Sequence, residues 1–261
     1  MKKLFAMVLA MFMVLSCFAG CVQESGSDLK DIQAKGKLVV GITEYAPMDF
    51  KDENGNWTGF DAELATLFAQ ELGVDIEFFV IADWEKKFIE LETKQIDVIW
   101  NGMTISDDVL NNTSCSIPYV LNAQVIVMKA DKIAQYPDVA SMKDLSVAVE
   151  NDSAGEKAAK AAGFTNVIEL QYQSNALMEV AAGTADACVI DITMANNMTG
   201  EGTSYADLGK SISLTEEEYG IGFRKDSDVT AKLNDFLKKL MQNGTLKTLA
   251  DKYELTLADI Q

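Results

Sequence analysis

Polar side chains follow a short apolar run in the segment 97–109, which reads DVIWNGMTISDDV. The apolar run ends at Trp100, and Asn101, Gly102 and Thr104 come directly after it. Such a run is typical of a buried parallel strand. In open α/β sheets, small ligands bind outside the carboxyl ends of these strands. The sequence therefore predicts a binding turn for a small molecule at this point.

A second group of candidates lies where a helix is predicted to open, at Ser153. Ser153 and the free backbone N–H groups of the first helical turn could bind an anionic group of a ligand. Asp152, directly before it, places a negative charge in the same position. Alternatively, Asp152 or Ser153 serves only as the helix cap. The residues leave both interpretations open.

The composition excludes several classes of function. The chain of 261 residues has 22 Lys and Arg against 40 Asp and Glu, and this net charge of −18 disfavours nucleic acid and anionic lipid surfaces as partners. It contains no histidine, the commonest general base and metal ligand. We expect no metal and no cofactor. No P-loop of the GxxxxGK form occurs, so ATP hydrolysis would need a separate protein.

The first 20 residues predict an export signal. Lys2 and Lys3 precede an apolar run over residues 4–15, which is too short for a membrane span. Phe-Ala-Gly before Cys21 resembles a bacterial lipobox, in which the cysteine is lipidated and becomes the mature N-terminus. Cys17 is a competing lipidation site, and an ordinary cleaved signal is the alternative. We expect Cys21 to be lipidated, because a polar tether follows it.

Strands and helices alternate along two stretches of the chain. A strand at 37–42 precedes a helix whose apolar residues recur at i, i+3, i+4 and i+8; its predicted cap is Asp61 and its end is Gly73. Further elements of this series are predicted at 75–81, 84–91 and 96–100. The second series is predicted at 145–149, 156–162, 166–170, 175–182 and 185–190. This alternation predicts an α/β fold with parallel-rich sheets.

The two series share a short repeated unit. LETKQIDVIW at 91–100 and VAAGTADACVI at 180–190 both read as a helix end, a turn, an aspartate and an apolar strand. The repeat supports two similar lobes, and chance similarity explains it equally well.

Several segments together resemble a known family. They are GKLVVGITEYAPMDFKDENGNWTGFDAELATLFAQELGV at 36–74, ADWEKKFIEL at 82–91, IDVIWNGMTIS at 96–106, IPY at 117–119 and EEYGIGFRK at 217–225. In this order and spacing the sequence resembles the type II periplasmic, or extracytoplasmic, substrate-binding proteins of polar amino-acid ABC transporters.

The resemblance implies a two-lobed type II periplasmic-binding-protein-like fold with two crossing hinge strands, near 122–127 and 218–223. Lobe one would comprise residues 36–123 and 217–261, and lobe two residues 124–216. A signal peptide at 1–20 and a lipidated tether at 21–35 would precede them. The implied protein is a monomer, anchored outside the cell membrane, that binds a small molecule and delivers it to an ABC permease and its ATPase.

The resemblance also implies roles for individual residues. Tyr45 and Trp84 match positions that enclose the ligand side chain, and Asp191 matches the carboxylate that pairs with the α-ammonium group. A helix cap is the alternative role for Asp191. Trp100 lies either in the cleft or in the core. The binding turn would hold the polar head of the ligand through Asn101, Gly102 and Thr104.

One departure from the family concerns the ligand carboxylate. Where the family usually carries an arginine, this chain has Val109, which cannot form the two parallel N–H bonds of a guanidinium. The single arginine, Arg224, is expected away from the cleft, and no lysine lies in the binding turn.

Two ligand classes therefore stay open. The ligand is either an amino acid held through backbone N–H groups and Asp191, or a cationic amine without a free carboxylate. For the amine, carboxylates and aromatic faces would supply the contacts, and Glu44 and Asp152 would join the site. A dehydratase like some relatives of the family is a weaker alternative, with Glu44 or Glu150 as acid or base. We expect a binding protein without catalytic residues.

Overall fold

The computed structural model describes residues 27–260, which form nine helices and thirteen strands. The helices are α1 Asp28–Lys35, α2 Phe60–Leu72, α3 Lys87–Glu92, α4 Asp107–Asn112, α5 Ala154–Ala161, α6 Gln173–Ala182, α7 Ile192–Met198, α8 Val229–Gln242 and α9 Thr245–Lys252. The strands are β1 Lys37–Ile42, β2 Phe50–Lys51, β3 Trp57–Thr58, β4 Asp75–Val80, β5 Val98–Thr104, β6 Ser114–Cys115, β7 Val120–Asn122, β8 Gln124–Lys129, β9 Ser146–Glu150, β10 Asn166–Leu170, β11 Ala187–Asp191, β12 Leu208–Ser213 and β13 Glu217–Phe223. Short 3-10 helices occur at Trp84–Lys86, Ile133–Gln135 and Val139–Met142.

Two separate sheets form the centres of two lobes. The first has the order β4-β1-β5-β13-β6, with β7 also paired to β13, and the second has the order β10-β9-β11-β8-β12. In each sheet three neighbouring strands are parallel, and the strand beside them is antiparallel. The repeated units at 91–100 and 180–190 lead into β5 and β11, which occupy corresponding positions in the two sheets. The predicted α/β architecture is therefore present in each lobe.

The chain crosses between the lobes twice, and the two crossings run side by side. Ala123 separates β7 of the first sheet from β8 of the second, and residues 214–216 separate β12 from β13. The crossings are bonded to each other, because the backbone N–H of Gln124 donates to Thr215 Oγ1 at 2.9 Å and that of Leu214 donates to the Gln124 carbonyl at 2.7 Å. These crossings are shorter than predicted, since the strands on either side belong to one sheet or the other.

Helix α2 shows how local sequence and distant contacts share the control of an element. Its residues Phe60, Leu64 and Phe68 are fully buried, as the apolar periodicity predicts. The helix ends at Gly73 with φ of 73°, a left-handed conformation that favours glycine. Its start corrects the prediction, because Gly59 occupies the N-cap position and Asp61 makes no cap hydrogen bond. Asp61 points into the core instead, where its carboxylate has distant partners.

The N-terminal helix α1 corrects the predicted extent of the tether. Residues 28–35 form a helix with Ser27 as its N-cap, and Ile32 is fully buried. Arg224 fixes this helix to lobe one, since its Nε donates to Asp28 Oδ1 at 3.0 Å. The predicted signal peptide and the candidate lipidation sites Cys17 and Cys21 lie outside the described residues. Within residues 27–260, no helix has the length and apolar character that a membrane span requires.

Two buried carboxylates, Asp49 and Asp61, lie under the cleft in lobe one. Neither oxygen of Asp49 has a hydrogen-bond partner among the described residues. Burial, and then the charge of Asp61, raises the pKa of Asp49 well above its usual value. Burial raises the pKa of Asp61 to about 7, although hydrogen bonds from Gly102 and Tyr119 partly oppose the rise. Burial therefore favours the neutral form of both carboxyl groups.

We expect the stability of the protein to fall as the pH is raised from about 5 to about 8. The unfolded carboxyl groups release their protons near pH 4, whereas the folded ones keep them to higher pH, so the folded state binds more protons in this window. The variant Asp49→Asn has no charge to bury, and its thermal midpoint should depend less on pH. At the upper end of the range the difference should correspond to about 1–3 kcal/mol.

Thermal unfolding at several pH values checks this prediction. The exposed Glu53 on the adjoining turn provides the control, because Glu53→Gln should leave the pH dependence unchanged. Equal slopes for Asp49→Asn and the wild type would contradict the assignment of Asp49 as a buried group that resists ionisation.

Candidate functional site

A cavity of about 790 Å³ lies between the two lobes and reaches the crossing strands. Most of the predicted site residues line it: Tyr45, Trp84, Asn101, Gly102, Thr104, Val109, Asp152, Ser153 and Asp191. The volume is within the range typical of small-molecule sites. The structure thus brings together residues from the ends of β5, β9 and β11, which are distant in the sequence.

Two predicted residues do not line the cavity. Trp100 is fully buried in lobe one, with its ring centroid 6.1 Å from that of Phe68, so its prediction as a ligand contact is corrected to a core role. Side chains alternate along a strand, and Trp100 points to the helix side of β5. Glu44 is exposed and lies outside the cavity lining, so its prediction as a ligand contact is also corrected.

The buried Asp61 fixes the binding turn through a hydrogen bond on its core side. The backbone N–H of Gly102 donates to Asp61 Oδ2 at 2.6 Å, and the Tyr119 hydroxyl donates to the same carboxylate at 2.8 and 2.9 Å. Gly102 has φ of 55°, and a Cβ atom there would lie 2.7 Å from Cε1 of Tyr45. Glycine is therefore required both by the left-handed backbone and by the close approach of the tyrosine ring.

The other polar residues of the turn already have partners within the protein. The Asn101 side chain accepts from the Thr43 backbone N–H at 2.7 Å and donates to the Thr43 hydroxyl at 2.7 Å. Thr104 Oγ1 donates to Glu217 Oε2 at 2.9 Å. Asn101 thus braces the turn against β1, whereas Thr104 connects it to the second crossing.

Tyr45 joins the lobes through its hydroxyl group. Tyr45 is buried, and its hydroxyl oxygen is 2.5 Å from both Thr193 Oγ1 in lobe two and the Tyr219 hydroxyl in lobe one. Trp84 lies at the other side of the cavity, in a hydrophobic cluster that also contains Val109. Both aromatic residues are therefore placed to contact a ligand, and this role stays a prediction.

Asp191 lies at the start of α7 but does not cap it. Its carboxylate accepts instead from the side-chain amides of Asn122, Gln124 and Gln173, and the Gln124 bond measures 2.7 Å. Burial, together with the nearby charge of Glu217, raises the pKa of Asp191 to about 6. The contacts place a buried carboxylate at the floor of the cavity, and its role as the partner of a ligand cation stays a prediction.

Glu150 and Glu217 add two carboxylates that the sequence analysis did not assign to ligand binding. Glu150 is 5% exposed, lines the cavity and forms no ion pair with the described residues. Burial, and then the charge of Asp191, raises the pKa of Glu150 to about 8, which Lys87 partly opposes. Glu217 accepts from Asn122 at 3.1 Å and from Gln124 at 3.0 Å. The position of Glu150 at the end of an apolar strand was the signal that could have identified it. Glu217 was missed because its strand, β13, was interpreted only as a crossing between the lobes.

Two lysines also line the cavity, although none lies in the binding turn. Lys87 is 4% exposed, and its ammonium donates to Asp152 Oδ2 at 2.7 Å and to the Trp84 carbonyl at 3.1 Å. Lys157, from lobe two, donates to Asp108 Oδ2 at 2.6 Å. The binding turn itself contains no basic residue, as the sequence shows, and these two lysines reach the cavity from other elements. Lys87 is three residues after Trp84, a spacing that places both on one helical face and was the available signal.

Ser153 and Asp152 both have local structural roles. Ser153 is the N-cap of α5, and its hydroxyl accepts from the Glu156 backbone N–H at 3.1 Å. Asp152 has φ of 54°, a left-handed conformation that is uncommon for a residue with a side chain. Its side chain makes no cap bond and reaches Lys87 across the cleft. The cap alternative therefore applies to Ser153, and Asp152 is a contact between the lobes.

The fold and the cleft define a two-lobed solute-binding protein, and comparisons with known proteins agree. The profile of the bacterial extracellular solute-binding proteins, family 3, matches residues 38–256. The arginine-binding extracellular protein ArtP of Bacillus subtilis (strain 168) is 31% identical over 265 residues, which cover 97% of this chain and 98% of that protein.

Comparison with solved structures also finds binding proteins of the same fold. A variant of ArgBP from T. maritima has a TM-score of 0.80 and 31% identity, covering 87% of this chain and 98% of that one. The ancestral amino acid-binding protein AncCDT-1, a precursor of cyclohexadienyl dehydratase, has a TM-score of 0.79 and 31% identity, covering 87% and 99%.

The chain belongs to the bacterial extracellular solute-binding proteins of family 3. This confirms the predicted family, the type II two-lobed fold and solute binding outside the cytoplasm. The family and these relatives are binding proteins, although one of the structural relatives is a dehydratase precursor.

We expect the substitution Gly102→Ala to destabilise the protein by about 2–4 kcal/mol, because it combines a strained backbone with a contact of 2.7 Å to the Tyr45 ring. Gly183 provides the control, since it has φ of 77° but no atom within 4 Å of the position that an alanine Cβ would take. Gly183→Ala should therefore show the backbone cost alone, about 1 kcal/mol.

Urea unfolding of both variants measures the difference. Equal losses of stability would show that the Tyr45 ring moves away without cost, and that the close packing of the binding turn is not required.

Proposed function

We propose that the protein binds an L-amino acid with a positively charged side chain in the cleft, as the binding component of an ABC importer. The observation that carries this proposal is Glu150, a buried carboxyl group that lines the cavity and forms no ion pair among the described residues. Burial disfavours the charged form of Glu150, and a ligand cation beside the carboxylate would offset that cost, so a cation would be favoured at this position.

The balance of buried charge in the cleft supports a ligand with two cationic groups. The side-chain amides of Asn122 and Gln124 donate to both Asp191 and Glu217. Glu150 is a third carboxyl group in the cavity lining and belongs to lobe two. An α-ammonium group at Asp191 and a side-chain cation at Glu150 would neutralise two of these charges. The aromatic faces of the cleft favour cations as well.

The relatives support an amino acid as the ligand class. ArtP and ArgBP are both named for arginine, and AncCDT-1 is named as an amino acid-binding protein. The alternative of an amine without a carboxylate is not favoured, both because of these relatives and because Lys87 provides a buried cation in the cleft. We infer stoichiometric binding without turnover, which the binding proteins among the relatives support, and a dehydratase is not favoured.

L-Arginine and L-citrulline differ mainly in the side-chain charge, and together they test the proposal. We expect calorimetry to show binding of L-arginine with L-citrulline at least about 10-fold weaker, since a charged hydrogen bond contributes about 1.5–3 kcal/mol. The variant Glu150→Gln should lose most of this preference. Glu201→Gln, an exposed residue of the same lobe, should keep it.

Two results would contradict the proposal. The first is equal affinity of the wild type for the two amino acids, which would remove the role of Glu150. The second is conversion of bound L-arginine into another compound during incubation, detected by NMR spectroscopy, which would indicate an enzyme.

Export and anchoring form the second part of the proposal. The charged and apolar N-terminal residues would direct export, and lipidation of Cys21 would attach the protein to the outer face of the cell membrane. Two acyl chains on one cysteine suffice for stable attachment, whereas one chain binds only marginally. The protein would act as a monomer that docks on a permease, with ATP hydrolysis by a separate subunit.

Radioactive palmitate labelling in a bacterial host tests the anchor. We expect Cys21→Ala to abolish the incorporation of label and to release the protein from the membrane fraction. Cys17→Ala is the matched control and should be labelled like the wild type. The opposite pattern would assign the anchor to Cys17, and labelling of neither protein would favour an ordinary cleaved signal.

A further inference from the structure

Lys87 occupies an unusual environment for a lysine. Its side chain is 5% exposed, and its ammonium lies 5.1 Å from the centroid of the Trp84 ring and 4.8 Å from that of the Phe88 ring. Of its three donors, one reaches the Trp84 carbonyl and one reaches Asp152. Within the described part of the chain the third has no acceptor. Lys87 is part of the cavity lining, so a ligand in the cavity could accept from this third donor.

The carboxylate partner of Lys87 comes from the other lobe. Asp152 is 37% exposed at its side chain, and its backbone has φ of 54°. Lys87 is on lobe one, so the ion pair closes across the cleft at the wall where α5 begins. An internal carboxylate thus stands in the place where a ligand carboxylate would meet the first turn of a helix.

Among the residues that the structure describes, the cavity lining that includes Val109 contains no other buried cation. Lys157 lines the same wall, but its side chain is 47% exposed, and it is paired with Asp108 at 2.6 Å. Lys87 is the only lysine or arginine among the described residues that is both buried and part of the cavity lining. A buried ammonium interacts more strongly with a carboxylate than an exposed one does, because solvent screens it less.

We infer that Lys87 is the residue that selects ligands with a carboxylate, in place of a guanidinium at position 109, and that Asp152 competes with the ligand for it. This inference rests on the proposed function. On binding, the ligand carboxylate pairs with the Lys87 ammonium and shares or displaces Asp152. Lysine binds a carboxylate as a point charge and not through two parallel bonds, so the contact tolerates more than one orientation of the carboxylate.

L-Arginine and agmatine, which lacks the carboxylate, test the inference by calorimetry. We expect Lys87→Met to weaken L-arginine binding by about 10- to 100-fold. Agmatine binding should change by less than about threefold, so the preference for the amino acid is lost. Lys87→Arg keeps the charge and should retain most of the preference. Lys86→Met removes the adjacent exposed lysine, which pairs with Asp83, and should change neither affinity.

A separate variant tests whether Asp152 competes with the ligand carboxylate for Lys87. Asp152→Asn removes the internal carboxylate and should strengthen L-arginine binding several-fold, with no gain for agmatine. This result would also show that the Asp152→Asn variant is folded, because a misfolded cleft does not gain affinity, and retained agmatine binding shows the same for Lys87→Met.

The outcomes separate the inference from the proposed function. Equal weakening of both ligands by Lys87→Met, or of neither, would overturn the role of Lys87 while leaving the ligand class in place. Equal affinity of the wild type for L-arginine and agmatine would also overturn it. Failure of the wild type to bind either compound would instead overturn the proposed function, and the inference with it.

Discussion

The amides of Asn122 and Gln124 hold two carboxylates together at the place where the chain passes between the lobes. Asp191 belongs to lobe two and Glu217 begins β13 of lobe one, directly after the second crossing, and both accept hydrogen bonds from the same two side chains. Without these donors, the buried Asp191 would be left with the amide of Gln173, and the half-buried Glu217 with the hydroxyls of Thr104 and Thr215, as hydrogen-bond partners. The floor of the cleft, the paired crossings and the position of Asp191 all depend on this network.

The same network explains why carboxyl groups in the cleft have raised pKa values. The amides satisfy the carboxylates as hydrogen-bond acceptors, but they carry no positive charge. The pKa of Asp191 is raised to about 6 and that of Glu150 to about 8, in both cases first by burial and then by a neighbouring carboxylate. Groups with shifted pKa values in a cleft are typical of functional sites. A cationic ligand would add positive charge to that of Lys87 and so stabilise the charged form of these carboxylates.

The sequence was sufficient for features that depend on local pattern. The apolar run of β5, the periodicity of α2 and the glycine at its end all predict the observed elements. It was insufficient where the partner of a residue is distant. Asp61 has the spacing of a helix cap, but its carboxylate binds Gly102, which is 41 residues away. Trp100 follows the strand pattern, and only the packing of Phe68 decides which face it occupies.

The lysines of the site show the same limit of prediction from sequence. A search for a cation near Val109 in sequence finds none, because Lys87 and Lys157 come from a preceding helix and from the opposite lobe. Glu150 and Glu217 are likewise separated in the sequence but lie on one cavity. The family resemblance supplied the positions where the chain follows its relatives. It gave no signal at positions where a lost contact is replaced from elsewhere in the fold.

The attachment of helix α1 has a mechanical consequence. Ser27 donates to Asp228, which precedes α8, at 2.5 Å, and Arg224 binds Asp28, so the N-terminal end of the described chain is fastened to lobe one alone. No bond of α1 spans the cleft among the described residues. A pulling force applied through the N-terminus would load lobe one and bypass the crossings. Lobe two would then stay free to move relative to lobe one, and tension on the chain would not affect the opening and closing of the cleft.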